Sequence, residues 1–177
     1  MRKIIAAEYL TLDGIMSDPA WTVPYWSDEL AALQEELFNE CDLLLLGRIT
    51  YDGMSKAWPA MADAPGAAGM NSIPKLVATR TLTQLEWNAE AIQGDVVKAL
   101  EKVKQQSGKN ILIYGSGELV RSLMKHDLID KYRLMVYPIV LGQGKRLFVE
   151  GSETTLTLTN SVTTDKGVNV LTYQLAQ

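Results

Sequence analysis

The stretch Ile111-Leu112-Ile113-Tyr114-Gly115-Ser116-Gly117-Glu118-Leu119-Val120 carries the reading of the fold. An apolar strand, Asn110–Tyr114, runs into two glycines and then into a helix that reaches about His126. Glycine lets a backbone turn tightly and approach a ligand closely. Ser116 is placed to cap the helix, and free N–H groups there, with the helix dipole, favour a phosphate. The stretch is neither a full G-x-G-x-x-G nor a phosphate loop closed by Gly-Lys-Ser/Thr, so alone it reads more readily as a structural turn.

The same order recurs upstream. Asp42–Gly47 is a short apolar run stopped by glycine, and Arg48–Lys56 reads as a short helix. Leu46-Gly47-Arg48-Ile49-Thr50-Tyr51 therefore adds a permanent guanidinium and a hydroxyl to a strand-to-helix junction. Lys75–Thr79 is a third strand, ending in Val77-Ala78-Thr79-Arg80-Thr81. Each junction has a bland reading as a solvated helix start or surface arginine. Together, three anion-competent turns at successive strand ends fit an extended ligand with several phosphates.

Further out, Lys3–Leu10 reads as a buried strand ended by Thr11-Leu12-Asp13-Gly14, and Ile15–Pro24 as a loop. Leucines at 30, 33 and 37 predict a helix over Ser27–Cys41. Ala57–Pro74 reads as a loop, Leu85–Trp87 as a short strand, and Asp95–Gln106 as a helix capped by Asp95. Lys131–Leu141 is a long apolar strand. Thr154–Leu175 alternates and breaks at Asp165-Lys166-Gly167, a hairpin signal. Strands alternating with helices and closed by a hairpin predict an α/β fold: a mostly parallel, helix-flanked sheet with an antiparallel edge.

Composition bounds the function. At 177 residues and 47% hydrophobic, the chain reads as one domain spanning 1–177 with an ordinary core. A net charge of -4 with no block of like charge argues against nucleic-acid binding. One cysteine and one histidine offer no zinc ligand set, and no metal is expected. The longest apolar runs fall far short of the roughly 18 residues that span a bilayer. Glu8 and Asp13 interrupt the apolar stretch after Arg2-Lys3 too early for a signal-peptide core, so a soluble cytoplasmic protein is expected.

As an ordered set, Leu-Gly-Arg-Ile-Thr-Tyr (46–51), Ala-Thr-Arg-Thr (78–81) and Gly-Ser-Gly-Glu-Leu-Val (115–120) resemble the dihydrofolate reductase superfamily. Leu12-Asp13-Gly14, His126–Asp130, Tyr137–Gly144 and Leu147-Phe148 are similar to its riboflavin-biosynthesis branch, the reductase domain of the bifunctional pyrimidine deaminase–reductase. The resemblance implies a mixed sheet of about eight strands, NADPH as hydride donor, and a homodimer. It implies that Gly47, Arg48, Thr50 and Tyr51 sit on the cofactor's phosphates, with Thr79, Arg80 and Thr81 facing the ribose 2′-phosphate. Gly115, Ser116, Gly117, Glu118, Leu119 and Val120 would hold the pyrophosphate, with Ala7 near the nicotinamide.

For the substrate, the resemblance points to Asp28 near the start of the first helix. A carboxylate beside Trp21, Trp26 and Leu30 is suited to pair with a flat nitrogen heterocycle, although Asp28 equally favours the helix dipole. Asp13 either lines the same pocket or bonds the turn before Gly14, and Met54 is a further lining candidate. Ile15 stands where that branch often carries a basic residue, and Lys56, Lys145 and Arg146 are weak substitutes. No His-x-Glu with Cys-x-x-Cys is present, so the deaminase half is absent. The implied reaction is reduction of 5-amino-6-(5-phosphoribosylamino)uracil, with a dihydrofolate or pteridine reductase, or a non-catalytic NADPH- or folate-binding dimer, as alternatives. His126 reads as surface, Cys41 as core at a helix end, and Met54, Met61 and Met70 as filler or cover near the 57–74 loop.

Overall fold

Residues of the first strand alternate between two cores, and that alternation organises the molecule. Ile4, Ala6 and Leu10 enter one apolar cluster, while Ile5 and Ala7 enter the other. The computed structural model describes residues 1–176. Its strands are β1 (Ile4–Thr11), β2 (Cys41–Gly47), β3 (Lys75–Ala78), β4 (Ala89–Ile92), β5 (Asn110–Ile113), β6 (Lys131–Tyr137), β7 (Leu156–Thr163) and β8 (Asn169–Leu175). Its helices are α1 (Asp28–Asn39), α2 (Arg48–Ala60), α3 (Ala67–Ser72), α4 (Val96–Gln105) and α5 (Gly117–Met124). They form one eight-stranded sheet in the order β4-β3-β2-β5-β1-β6-β8-β7. The first six are mutually parallel; β8 runs antiparallel to β6 and pairs with β7 as the hairpin foreseen at residues 165–167.

From β1 the chain steps outward through β2, β3 and β4, then returns to lay β5 between β2 and β1. Reversing direction while keeping right-handed crossovers moves the helices to the opposite face. Leu30 and Leu37 of α1, Tyr51 of α2 and Met70 of α3 belong to one cluster. Leu100 of α4 and Leu119, Val120 and Leu123 of α5 belong to the other. Adjacent strands β2 and β5 therefore send their helices to opposite faces, which opens a crevice at their carboxyl ends.

Several boundaries differ from the sequence reading. The strand expected at Leu85–Trp87 forms at Ala89–Ile92, because Trp87 and Asn88 take left-handed φ values of 60° and 53° that no strand accommodates. The β3–β4 connection carries no helix. The expected 57–74 loop holds the end of α2, which runs past Pro59 with Trp58 packed on the core, and all of α3, anchored by Ala67 and Met70. Cys41 opens β2 instead of ending a helix, and β6 stops at Tyr137 where Pro138 removes a ladder donor. Ser27, Asp95 and Ser116 cap their helices by accepting the N–H groups of Leu30, Lys98 and Leu119. No helix among the described residues is long and apolar enough to cross a membrane.

Candidate functional site

The carboxyl ends of β3, β2, β5 and β1 lie side by side, so the three junctions singled out in the sequence form one rim. At about 4.8 Å between strands, the row from β3 to β1 spans roughly 15 Å. The central two junctions touch. A side chain on Gly47 would meet Ser116, its Cβ 3.0 Å from the serine Cβ, and one on Gly115 would meet the Thr50 hydroxyl at 2.9 Å. Gly115 also takes φ +62°, a conformation glycine adopts without strain. The peptide between Gly115 and Ser116 is cis.

The two helix N-termini thus converge closely, with Gly47 against the Ser116 side chain and Gly115 against that of Thr50. The N-terminus of α2 has no side-chain cap, leaving the first N–H groups from Arg48 to Thr50 free of helical partners. At α5, Ser116 Oγ accepts the Leu119 N–H and the Ser116 carbonyl accepts that of Val120. The N–H groups of Gly117 and Glu118, in the first turn of α5, have no intrahelical partners, and the side chains of Leu119 and Val120 anchor α5 in the core. Arg48 is exposed and pairs with Asp52 at 2.8 Å. Tyr51 is buried, its hydroxyl bracketed by the backbone N–H and C=O of Glu86. That hydroxyl braces the 82–88 segment instead of facing the rim. Thr79 Oγ1 accepts the N–H groups of Thr81 and Leu82, which turns the chain so that Arg80 and Thr81 stand exposed at the rim's end. Ala7 is buried on the α1 face of β1.

Glu8 is the residue that sequence reasoning passed over. Its carboxyl lies on the opposite face from Ala7, 4% exposed, and accepts the Gly115 N–H at 2.9 Å. Burial pushes its pKa up to about 8, against the smaller lowering effect of the Gly115 hydrogen bond. The available signal was a carboxylate at an inward position of an apolar strand.

The other side of β1 carries an aromatic cluster. The Tyr137 ring is met edge-on by Tyr9 at 5.8 Å, Trp21 at 5.3 Å and Tyr25 at 5.8 Å. Gln34 of α1 donates to the Tyr9 hydroxyl and accepts from that of Tyr114 at 3.3 Å. The Tyr137 hydroxyl is buried without a partner among the described residues, and burial raises the pKa of Tyr9, Tyr114 and Tyr137. Trp21, held by an indole bond to the Ser17 carbonyl, and Met54 pack against this side of the core. Trp26 is 49% exposed and Asp28 is exposed in the first turn of α1, so neither is enclosed with Trp21 and Leu30 as the sequence suggested.

Asp13 has a structural task. It accepts the Thr11 hydroxyl at 2.6 Å and the N–H groups of Gly142 and Leu141 at 2.8 and 3.3 Å, led by Thr11 in holding its pKa below the usual carboxylate value. These bonds, with Leu12 N–H to the Ile139 carbonyl and Met16 N–H to that of Lys145, zip the Leu-Asp-Gly turn to residues 139–147. Ile15 is 1% exposed and packs on Gly144, so a basic side chain has no room there. His126 is exposed, and among the described residues no three His, Cys, Asp or Glu side chains group as metal ligands.

Residues 2–170 match the RibD C-terminal domain family. A putative riboflavin biosynthesis protein from Shewanella shares the fold with a TM-score of 0.77 and 23% identity over 99% of both chains. A diaminohydroxyphosphoribosylaminopyrimidine deaminase/5-amino-6-(5-phosphoribosylamino)uracil reductase from Thermotoga maritima aligns with 99% of this chain and 57% of its own (TM-score 0.71, 13% identity). Dihydrofolate reductase from Enterococcus faecalis, solved with NADP(H), superimposes with a TM-score of 0.68 at 15% identity, over 99% of this chain and 97% of its own.

Proposed function

The chain belongs to the RibD C-terminal domain family, and from that premise we propose that it is an NADPH-dependent reductase of a planar heterocyclic substrate. One observation carries the reading: the uncapped start of α2 and the start of α5 meet at the β2–β5 crevice with glycine on both sides. Unpaired N–H groups and two helix dipoles there suit a pyrophosphate, and Arg48 is one ion pair away from joining it. Arg80 and Thr81, exposed one strand further along, suit the ribose 2′-phosphate. Bound NADPH supplies a hydride. The protein's part is orientation, with Ala7 beneath the nicotinamide and Tyr9, Trp21, Tyr25 and Tyr137 walling the acceptor's pocket.

The acceptor is a C=N or ring-opened C=O of a heterocycle. The family and the Thermotoga protein point to 5-amino-6-(5-phosphoribosylamino)uracil. Buried Ile15 and the tie between Arg146 and Asp13 leave few cations for a substrate phosphate, which favours a dephosphorylated or pterin-like ring. In this reading Asp28 pairs with the ring's nitrogen edge from the exposed start of α1, Asp13 shapes the pocket mouth, and the protein works as a cytoplasmic homodimer.

Quenching of the four tryptophans by NADPH but not NADH tests the cofactor. Loss of NADPH absorbance on adding dihydrofolate or the uracil tests turnover. Arg80→Ala is expected to weaken NADPH binding about tenfold, the effect of one charge-assisted contact, while leaving NADH unchanged. Equal losses for both dinucleotides would remove Arg80 from the 2′-phosphate.

A further inference from the structure

We propose that Glu8 is the positioning residue of the dinucleotide site: its uncharged carboxyl holds the Gly115 N–H and aims the 115–117 turn, and its ionisation expels an anionic ligand. The inference rests on the cofactor reading above and adds to it a proton that the site must keep. Glu8 projects from β1 on the same face as Ala6 and Leu10, opposite Leu134 of β6, the face whose apolar cluster contains Leu119 and Val120 of α5. Its one hydrogen-bond partner among the described residues is the Gly115 N–H, the first amide of the turn that leads into α5. Among the described residues it makes no salt bridge.

The charged groups of the neighbouring elements are committed elsewhere. Arg121 of α5 donates to the carbonyls of Arg146 and Leu147. Arg48 pairs with Asp52, and Asp13 is tied to residues 141–142. Lys131 and Arg133 of β6 stand on the Ala7 face, and Glu118 is exposed. Tyr9 of β1 and Tyr114 of β5 have pKa values raised chiefly by burial, and the Glu8 charge adds a smaller increase. No cation therefore stands ready to neutralise an ionised Glu8, and a pyrophosphate on the same turn would meet an unscreened like charge in a low-dielectric setting.

The test is a fluorescence titration of NADPH from about pH 7 to about pH 10 on the wild-type chain, Glu8→Gln and Glu8→Ala. For the wild type, the dissociation constant is expected to stay level to about pH 8 and then climb up to tenfold per pH unit. Glu8→Gln keeps an acceptor for Gly115 without the titrating proton, so its profile is expected to be flat. Glu8→Ala loses the acceptor and is expected to bind more weakly at every pH, again without the climb. Calorimetry of the wild type at about pH 9, in buffers of different ionisation heat, is expected to show nearly one proton taken up per dinucleotide. Superimposable wild-type and Gln profiles with no proton uptake overturn the inference and leave the cofactor reading standing. No binding by the wild type at any pH overturns both.

Discussion

Gly47→Val is expected to raise the NADPH dissociation constant at least about a hundredfold, close to 3 kcal/mol, while the chain still folds. Gly47 ends β2 with φ -76°, a conformation that valine tolerates, so the backbone is not the obstacle. The obstacle is space: even a Cβ there lies 3.0 Å from the Ser116 Cβ and 3.5 Å from the Ser116 N. Branched methyls would separate the α2 and α5 junctions or fill the crevice between them. Either outcome removes the paired N–H groups on which the phosphate reading depends. Gly53→Ala supplies the control, because a Cβ there meets nothing within 4 Å and lies inside α2. It is expected to leave binding unchanged and to add up to about 1 kcal/mol of stability. Wild-type affinity in Gly47→Val, measured by the same fluorescence quenching, would dismiss the crevice as the dinucleotide site.

Glu8→Gln is expected to stabilise the unliganded protein by on the order of 3 kcal/mol at neutral pH, and by little at about pH 4. Burial lifts the folded-state pKa from 4.5 to about 8. Below pH 4.5 both folded and unfolded chains carry the proton, and the glutamate costs nothing through ionisation. Between pH 4.5 and about 8 the unfolded chain gives up its proton while the folded one keeps it, so stability falls as pH rises. Above that window both states are ionised and the deficit is constant. Glutamine is neutral throughout and preserves the acceptor for Gly115. Urea unfolding at about pH 4, 7 and 9 checks the prediction. A Gln-minus-Glu difference that does not grow with pH would show that the carboxyl is solvated in the folded chain.

Asp13 and Glu8 show where sequence reading succeeds and where it stops. Asp13 announces itself in Leu12-Asp13-Gly14, because aspartate before glycine is turn chemistry. Its partners at 141 and 142, however, lie more than a hundred residues away. Both motifs are visible in the chain, yet nothing local says that one zips onto the other. Glu8 is visible only as an interruption of an apolar run. Its contact with Gly115 arises because β5 is laid beside β1, a placement set by sheet order. Trp26 and Asp28 err in the opposite direction: neighbours of Trp21 and Leu30 in the chain, they are left exposed by the turn before α1. Trp87 and Asn88 defeat the strand expected at 85–87 through left-handed φ values, which side-chain type does not reveal.

The sequence by itself determined what short-range physics controls. This comprises the apolar runs that become β1, β2, β5 and β6, the caps Asp95 and Ser116, the closing hairpin, and the glycine and arginine junctions at three strand ends. Hydrophobic period and hydrogen bonding between near neighbours suffice for these. Only the tertiary structure decided which junctions touch, that Gly47 and Gly115 face Ser116 and Thr50, that Tyr51 and Asp13 brace loops, and that a carboxyl holds the Gly115 N–H. Those facts depend on the return of β5 between β2 and β1. Strand order is chosen by burying both faces of the whole sheet at once, a sum over distant residues that no local window contains.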